Sequence, residues 1–252
     1  MAKIEVERDG PVTTIILNRP EARNALDLEA TSLLHNAFLD FDQDRDARVA
    51  VLWGAGGTFC AGADLNEMAG KGAVYKPWAG TEGPLAHPLS KPIIAAVEGH
   101  AVAGGLGLAL FCDMRVAAET AVFGVFCRRF GVPMSDGTTV RLPRLIGMGR
   151  ALDMLNTGRP VDAAEAKAMG LADRVEPAGQ ARSAAEAIAR QMAQFPQIAL
   201  RADRWSALTS AGLPLAVALE REAEGAVEAK RLEAAAGAAR FADGAGRGGG
   251  RE

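Results

Sequence analysis

The sequence predicts an α/β fold that ends in a block of helices. Short apolar segments alternate with helical patterns as far as about residue 180, and an alanine-rich helical pattern fills residues 181–239. Strands that alternate with helices favour a mostly parallel sheet with right-handed crossovers. With 252 residues, of which 49% are apolar, the chain can bury the core of one large domain with a helical appendage.

The individual elements follow from periodicity and from turn residues. Residues 4–7 and 12–17 are predicted to form two strands around a short turn, and residues 28–41 carry apolar side chains at helical spacing. We expect the glycine- and proline-rich stretch at 70–88 to be mobile. The other predicted elements are strands at 49–53, 92–97 and 114–118 and helices at 104–111, 140–157 and 163–169.

Charge and cysteine content argue against several classes of protein. A net charge of −3 provides no basic field for nucleic acid. Cys60, Cys112 and Cys127 are an odd number without zinc-site spacing, which fits a reducing cytosol and no metal. The N-terminus is charged, and no apolar run approaches the ~18 residues of a membrane span. We therefore expect a cytoplasmic protein that binds no nucleic acid, membrane or metal.

Two segments of small residues, at 59–65 and 103–109, each place a loop in front of a predicted helix. Small residues let a backbone N–H group approach a ligand closely, and a helix N-terminus adds unpaired donors and partial positive charge. Two such sites facing each other would hold a developing oxyanion. The residues alone therefore indicate polarisation of a carbonyl group; the alternative is that both segments are only tight turns.

Other chemical motifs are incomplete. A formal G-x-G-x-x-G match at Gly244, Gly246 and Gly249 follows a helix and has no helix after it, so we assign it to a frayed tail. The chain has no G-x-S-x-G nucleophile motif. We interpret His35 and His100 as structural, with a role for His100 in lining a site as the alternative.

An ordered set of motifs over nearly the whole chain resembles the crotonase (enoyl-CoA hydratase/isomerase) superfamily. One block alone would be a weak signal, whereas the set in this order and spacing is specific. The motifs are Asn18-Arg19-Pro20, Arg23-Asn24-Ala25-Leu26, residues 59–65, 91–101, 104–105, 112–113 and 131, and the segments 141–147, 157–159, 163–166 and 170–172.

The resemblance implies a crotonase-like (ClpP/crotonase) fold, which is a spiral of ββα repeats with a C-terminal helical region that trimerises. We place the spiral core at 1–190 and the helical region with its tail at 191–252. The implied assembly is a homotrimer or a dimer of trimers. The apolar residues of the helical region could pack between subunits or on their own core; they are Leu213, Leu215, Val217, Leu219, Val227 and Leu232.

The resemblance also implies an acyl-CoA thioester substrate, with coenzyme A as part of that substrate and no separate cofactor. The two oxyanion-hole N–H groups of the family fall on Ala63 and Gly104, in agreement with the two small-residue segments. Arg23 is a candidate phosphate partner or an ordinary solvated charge, and Asp64 is more suited to capping a helix than to chemistry. The implied coenzyme A contacts are Arg23, Ala25, Ala61, Asp64 and Leu65.

The two glutamates that hydratases of this family use fall on Gly107 and Cys127, and neither residue can act as a carboxylate. Asp136 is the remaining candidate acid or base, because isomerases of the family carry their carboxylate in this loop. Without a gap, the acid of these isomerases and of the 4-chlorobenzoyl-CoA dehalogenase branch falls on Ser135, one residue before Asp136. Asp136 could also cap the helix that begins at Thr138.

Arg128 and Arg129 could pair with Asp136 or with an acidic substrate group; the alternatives are a solvated face and a subunit contact. The sequence as a whole predicts an enoyl-CoA hydratase/isomerase-family enzyme in which isomerisation is favoured over hydration, since one carboxylate can serve isomerisation. The alternatives are a non-catalytic acyl-CoA binding protein and other crotonase chemistry such as dehalogenation or hydrolysis.

Overall fold

The structure is a computed structural model that describes residues 2–71, 78 and 83–244. Most of the stretch at 70–88 and the tail beyond residue 244 lie outside the described residues. The expectations of mobility and fraying there therefore stay predictions.

The described residues form nine strands in two sheets. The main sheet has six strands in the order β1-β2-β3-β4-β6-β9; β1 and β2 are antiparallel, and the other neighbouring pairs are parallel. A smaller sheet has the order β5-β7-β8. The mostly parallel sheet is therefore confirmed. The strands are β1 (Ile4–Asp9), β2 (Val12–Leu17), β3 (Val49–Gly54), β4 (Ile93–Val97), β5 (His100–Val102), β6 (Met114–Ala118), β7 (Val122–Gly124), β8 (Val161–Asp162) and β9 (Arg174–Glu176).

Helices follow most strands of the first 192 residues and occupy the remainder of the described chain. Short 3₁₀ helices lie at Pro20–Ala22, Ala55–Gly57 and Phe126–Phe130, and a π-helical turn lies at Lys230–Ala234. The α-helices are α1 (Leu28–Gln43), α2 (Leu65–Lys71), α3 (Gly104–Phe111), α4 (Thr138–Ile146), α5 (Met148–Thr157), α6 (Ala163–Met169), α7 (Ala181–Ala193), α8 (Gln197–Thr209), α9 (Leu215–Ala229) and α10 (Ala235–Ala242).

Two helical predictions were too long. The single helix predicted at 140–157 is two helices, because Gly147 lies between α4 and α5 with a φ of 82°, which a helix cannot contain. The continuous helical pattern at 181–239 is interrupted in front of α8 and α9, where Pro196 and Pro214 stand at the N-caps. Proline lacks a backbone N–H group, so it starts a helix more readily than it continues one.

Local chemistry fixes the first helix on the sheet. Asp27 accepts a hydrogen bond from the Ala30 N–H group and caps the N-terminus of α1. Leu34 and Phe38 bury one face of the helix in the core. The buried Lys91 donates to the carbonyl oxygen of Phe41 at 2.7 Å near the helix C-terminus. β2 is buried along its whole length, as a strand covered on both faces should be.

The contacts divide the chain into two compact units, Met1–Met192 and Ala193–Glu252, two residues after the predicted boundary. In the second unit, Leu215 is 75% exposed and Val227 is 61% exposed in the single chain, so these side chains do not pack into a core of their own. No helix in the described part of the chain combines the length and apolar character that a membrane crossing requires.

Candidate active site

The loop in front of α2 is clamped to an earlier turn by backbone hydrogen bonds. The Ala61 N–H group donates to the Arg23 carbonyl oxygen at 3.0 Å. The Leu26 N–H group donates to the Gly62 carbonyl oxygen at 2.7 Å, and the Asp64 N–H group donates to the Leu26 carbonyl oxygen at 3.0 Å. This ladder brings the predicted coenzyme A contacts into one region of the molecule.

Asn24 holds the early turn in its unusual conformation. Arg23 and Asn24 both have positive φ angles, of 52° and 55°, a region that asparagine tolerates better than most residues. The buried Asn24 amide accepts from the Arg19 N–H group at 2.8 Å and donates to the carbonyl oxygens of Ala55 and Thr58. Arg23 is thereby placed on the surface with an exposed side chain.

Asp64 caps α2, as the sequence analysis favoured. Its Oδ1 accepts from the N–H groups of Asn66 and Glu67 at 3.0 and 3.3 Å. Its Oδ2 lies 3.1 Å from the Arg19 guanidinium, which also donates to the carbonyl oxygen of the buried Ala25. Arg19 is a residue whose role the sequence analysis missed, and it ties the cap to the early turn.

Two backbone N–H groups at the candidate oxyanion hole are unused by the described residues. Leu26 and Ala63 form an isolated parallel β-bridge, in which the Ala63 N–H group has no acceptor among the described residues. Gly104 is the first residue of α3, and its N–H group likewise has no acceptor there. Gly62, with a φ of 97°, lies where the two segments meet. An ideal Cβ on it would lie only 2.7 Å from the Gly104 nitrogen, so the close approach of the segments requires glycine here.

The residue in front of α3 has a strained backbone. Ala103 has a φ of 51° and a ψ of −126°, a conformation that favours glycine. Its N–H group donates to the Gly124 carbonyl oxygen at 2.8 Å, which holds the turn in place. Such strain is stored preferentially at functional sites, where it fixes a geometry that the unstrained chain would not adopt.

Both N–H segments open onto one largely apolar cleft of about 480 Å³, including its open mouth. Trp78 is buried against the backbone of Gly104, because an ideal Cβ on this glycine would lie 2.1 Å from the indole Cζ2 atom. The cleft is lined by Ala61, Ala63, Leu65, Trp78, Ala103, Gly104, Phe126, Cys127, Phe130, Val132, Pro133, Met134, Ser135 and Asp136.

Asp136 brings a buried carboxyl group into this cleft. Its side chain is 3% exposed, and Oδ1 accepts from the Thr138 N–H group at 2.9 Å. The Oδ2 atom lies over Gly107, where an ideal Cβ would be only 2.5 Å from it. A role of Asp136 at the start of the helix and a role in the cleft are therefore not exclusive. One oxygen accepts from the first N–H group of α4, while the carboxyl group lines the cleft.

Burial raises the pKa of the Asp136 carboxyl group above its ordinary value. Hydrogen bonds from Thr138 and the positive charge of Arg141 act in the opposite direction. A carboxyl group tuned in this way, inside an apolar cleft, is suited to accepting and returning a proton.

Cys127 lines the cleft as a thiol. Its Sγ lies 3.1 Å from the Met134 Sδ, and burial raises the pKa of the thiol above its ordinary value. The group is therefore protonated at neutral pH, as expected for a thiol in apolar surroundings. His100 does not line the cleft; it is exposed, with its ring edge-on to Phe126 at 6.5 Å.

Of the alternatives left open for Arg128 and Arg129, the structure shows no pairing with Asp136, and both residues are exposed. Arg128 donates to the Leu155 carbonyl oxygen, and Arg129 donates to the Gly158 carbonyl oxygen, both at 3.2 Å. The guanidinium of Arg129 also lies 4.2 Å from the centre of the Phe126 ring. These contacts hold the two arginines against the end of α5, away from the carboxyl group.

Comparison with known proteins places this chain in a family. A family model described as enoyl-CoA hydratase/isomerase matches residues 7–241. The chain belongs to the enoyl-CoA hydratase/isomerase family. Its fold is that of the crotonase superfamily.

The relatives support this membership along most of the chain. The enoyl-CoA hydratase EchA19 of Mycobacterium tuberculosis is 41% identical over 206 residues, which cover 78% of this chain and 77% of that protein. The crystal structure of enoyl-CoA hydratase EchA1 from Mycobacterium marinum has a TM-score of 0.91 at 32% identity and covers 96% of both chains. An enoyl-CoA hydratase structure from Bacillus anthracis has a TM-score of 0.89 at 35% identity, again over 96% of both chains.

Proposed function

We propose that this crotonase-family enzyme isomerises an enoyl-CoA thioester through an enolate, with Asp136 as its single proton-transfer group. The observation that carries the proposal is the shared cleft. It is lined by Ala63 and Gly104, whose N–H groups have no acceptor among the described residues, and by the buried Asp136 carboxyl group.

The proposed reaction needs only these groups. The Asp136 carboxylate takes a proton from the carbon next to the thioester carbonyl of a 3-enoyl-CoA. The N–H groups of Ala63 and Gly104 then stabilise the negative charge that develops on the thioester oxygen. The protonated Asp136 returns the proton two carbons further along the chain, which yields the 2-enoyl-CoA.

Hydration is less well supported by this cleft. It adds water across a double bond with a paired acid and base. The position of one family glutamate is Gly107, which is covered by Asp136, and the position of the other is the neutral thiol of Cys127. Among the described residues, one carboxyl group therefore lines the cleft, whereas the hydratase mechanism uses two.

The substrate is proposed to be bound through its coenzyme A portion at the clamped turn and loop. Arg23 is exposed and carries the charge that a phosphate group would contact. Ala25, Ala61, Asp64 and Leu65 supply the adjoining wall, and no further cofactor is needed for the proton transfer. A homotrimer or dimer of trimers and a cytoplasmic location remain predictions.

The test is turnover of crotonyl-CoA and of a 3-enoyl-CoA by the unchanged protein and by Asp136→Asn. We expect isomerisation to fall by at least ~100-fold in the variant if Asp136 transfers the proton, with binding of the coenzyme A ester retained. Asp162→Asn is a matched control, because Asp162 caps α6 through the Glu165 N–H group and does not line the cleft.

Three outcomes would contradict the proposal. Isomerisation that persists in Asp136→Asn would remove Asp136 from the mechanism. Robust hydration of crotonyl-CoA by both proteins would show that another group completes a hydratase. Tight binding of coenzyme A esters without turnover of any thioester would indicate a binding protein.

A further inference from the structure

Arg141 reaches back from α4 to the turn that carries Asp136. Its Nη1 donates to the Asp136 carbonyl oxygen at 3.0 Å, and its Nη2 donates to the Leu85 carbonyl oxygen at 2.6 Å. One guanidinium therefore fastens the turn with the carboxyl group to the segment around Leu85. The planar fork of arginine suits two acceptors at once, whereas a lysine ammonium is a point charge on a flexible stem.

The backbone beside Asp136 is shaped around this guanidinium. Gly137 has a φ of 89°, and an ideal Cβ on it would lie only 2.1 Å from the Arg141 Nη1. The guanidinium also lies 5.6 Å from the centre of the Phe111 ring at the end of α3, the helix that contains Gly107. Arg141 thus lies against both the turn that carries Asp136 and the end of the helix that contains Gly107.

Within the described part of the chain, the titratable groups that face Asp136 come from three elements: Arg141 on α4, Cys127 on the 3₁₀ helix, and Cys60 in the loop before α2. Burial raises the pKa of the Cys60 thiol to about 12 and also raises that of Cys127. Both thiols are neutral at pH 7. Of these three groups, Arg141 alone is charged at pH 7. Burial lowers the pKa of its guanidinium, but the ordinary value is so high that the group stays protonated.

We propose that Arg141 is a positioning residue that holds the Asp136 carboxyl group over Gly107 and places a guanidinium beside it for proton transfer. This inference rests on the proposed function, because it gives Arg141 a purpose only if Asp136 transfers the proton. It goes beyond the proposed function because it names the contact, between the Arg141 guanidinium and the turn that carries Asp136, which sets the position and the charge state of the Asp136 carboxyl group.

The test compares Arg141→Gln, Arg141→Lys and, as a matched control, Arg144→Gln on the same helix. The measurements are kcat, KM and the pH profile of 3-enoyl-CoA isomerisation. Arg141→Gln removes the charge and the fork, so kcat should fall by about 100-fold with little change in KM. The acidic limb of its profile should move to higher pH, because a nearby positive charge no longer favours the carboxylate.

Arg141→Lys keeps the positive charge and loses the planar pair of donors, so kcat should fall by about tenfold. The acidic limb of the pH profile should stay at the same pH. Arg144→Gln should leave kcat and the acidic limb of the pH profile unchanged. A limb that does not move in Arg141→Gln, or an unchanged kcat in Arg141→Lys, would overturn the inference. An unchanged kcat in Arg141→Lys would overturn the inference even if Arg141→Gln fails to fold.

A carbon-13 NMR titration of the Asp136 carboxyl group separates this inference from the proposed function. The Asp136 titration should move to higher pH in Arg141→Gln whether or not the enzyme turns over the chosen thioester. An unmoved titration overturns the role of Arg141. Full activity in Asp136→Asn would instead overturn the proposed function.

Discussion

The carboxyl group of Asp136 occupies the place where a side chain on Gly107 would begin. An ideal Cβ on Gly107 would lie 2.4 Å from the Asp136 carboxyl carbon, well inside van der Waals contact. The cleft therefore has room for a carboxylate carried by the loop or for one carried by α3, but not for both in these positions. In this chain the loop carries it.

Substitution of Gly107 tests this exclusion directly. Gly107→Ala should displace Asp136, lower isomerisation by about 100-fold and destabilise the fold by about 1–3 kcal/mol. Gly149→Ala in α5 is a matched control, because nothing lies within 4 Å of its ideal Cβ, and it should leave activity intact. Steady-state kinetics and thermal unfolding measure both effects; a fully active Gly107→Ala would show that Asp136 does not need this space.

The raised pKa of Asp136 makes folding stability depend on pH. Folding favours the protonated carboxyl group, so its ionisation costs stability at pH values above the folded-state pKa. That cost is relieved as the pH falls through the folded-state pKa to the ordinary value of about 4. Asp136→Asn should therefore be the more stable protein at pH 7, since the amide oxygen can still accept from Thr138.

Thermal unfolding of the two proteins between pH 4 and pH 8 measures the difference. It should be largest at neutral pH and shrink towards acid pH. A difference that is constant over this range would mean that the Asp136 pKa is unshifted in the folded protein.

Relief of the strain at Ala103 should stabilise the protein. Its φ of 51° costs an alanine more than a glycine, so Ala103→Gly should raise the free energy of unfolding by about 1 kcal/mol. Ala103→Val should lower it, since β-branched residues tolerate positive φ poorly. Chemical denaturation measures both variants. A destabilised glycine variant would show that packing of the Ala103 methyl group outweighs the backbone strain.

Trp78 should limit the length of the acyl chain, because its indole lies against Gly104 and lines the cleft. Trp78→Leu removes part of this wall, so the ratio of kcat/KM for long-chain to short-chain thioesters should rise by about tenfold. Trp53→Leu is a matched control from β3 that does not line the cleft. Equal changes in chain-length preference in both variants would contradict a role for Trp78 in specificity.

Arg23 should act on the phosphate groups of coenzyme A and on no other part of the substrate. Arg23→Gln should raise KM for the coenzyme A ester by roughly tenfold, as expected for the loss of a charged hydrogen bond, and leave kcat unchanged. The matched substrate is the N-acetylcysteamine thioester of the same acid, which carries no phosphate. An equal rise in KM for both substrates would mean that Arg23 acts through the shape of the turn.

Much of the fold was predictable from local patterns. The helix Gly104–Phe111 and the strand Met114–Ala118 have the predicted bounds, because each is a run of mostly apolar or small residues with clear ends. The strands His100–Val102 and Val122–Gly124 were missed, since three residues are too few to display a period and their pairing partner lies far away in the chain. The break at Gly147 was also missed, because helical spacing continues on both sides of it.

The sequence by itself determined the family, the α/β class and the two segments that bear the Ala63 and Gly104 N–H groups, since these depend on residue types at short and ordered spacing. It also identified Asp136 as the remaining acid and left its role open between cap and catalysis. Only the tertiary structure decided that the Asp136 carboxyl group lies over Gly107, that Arg141 fastens its turn, and that Trp78 covers Gly104. These are contacts between separate elements, and their distances follow from how helices and loops pack on the sheet, which no local pattern encodes.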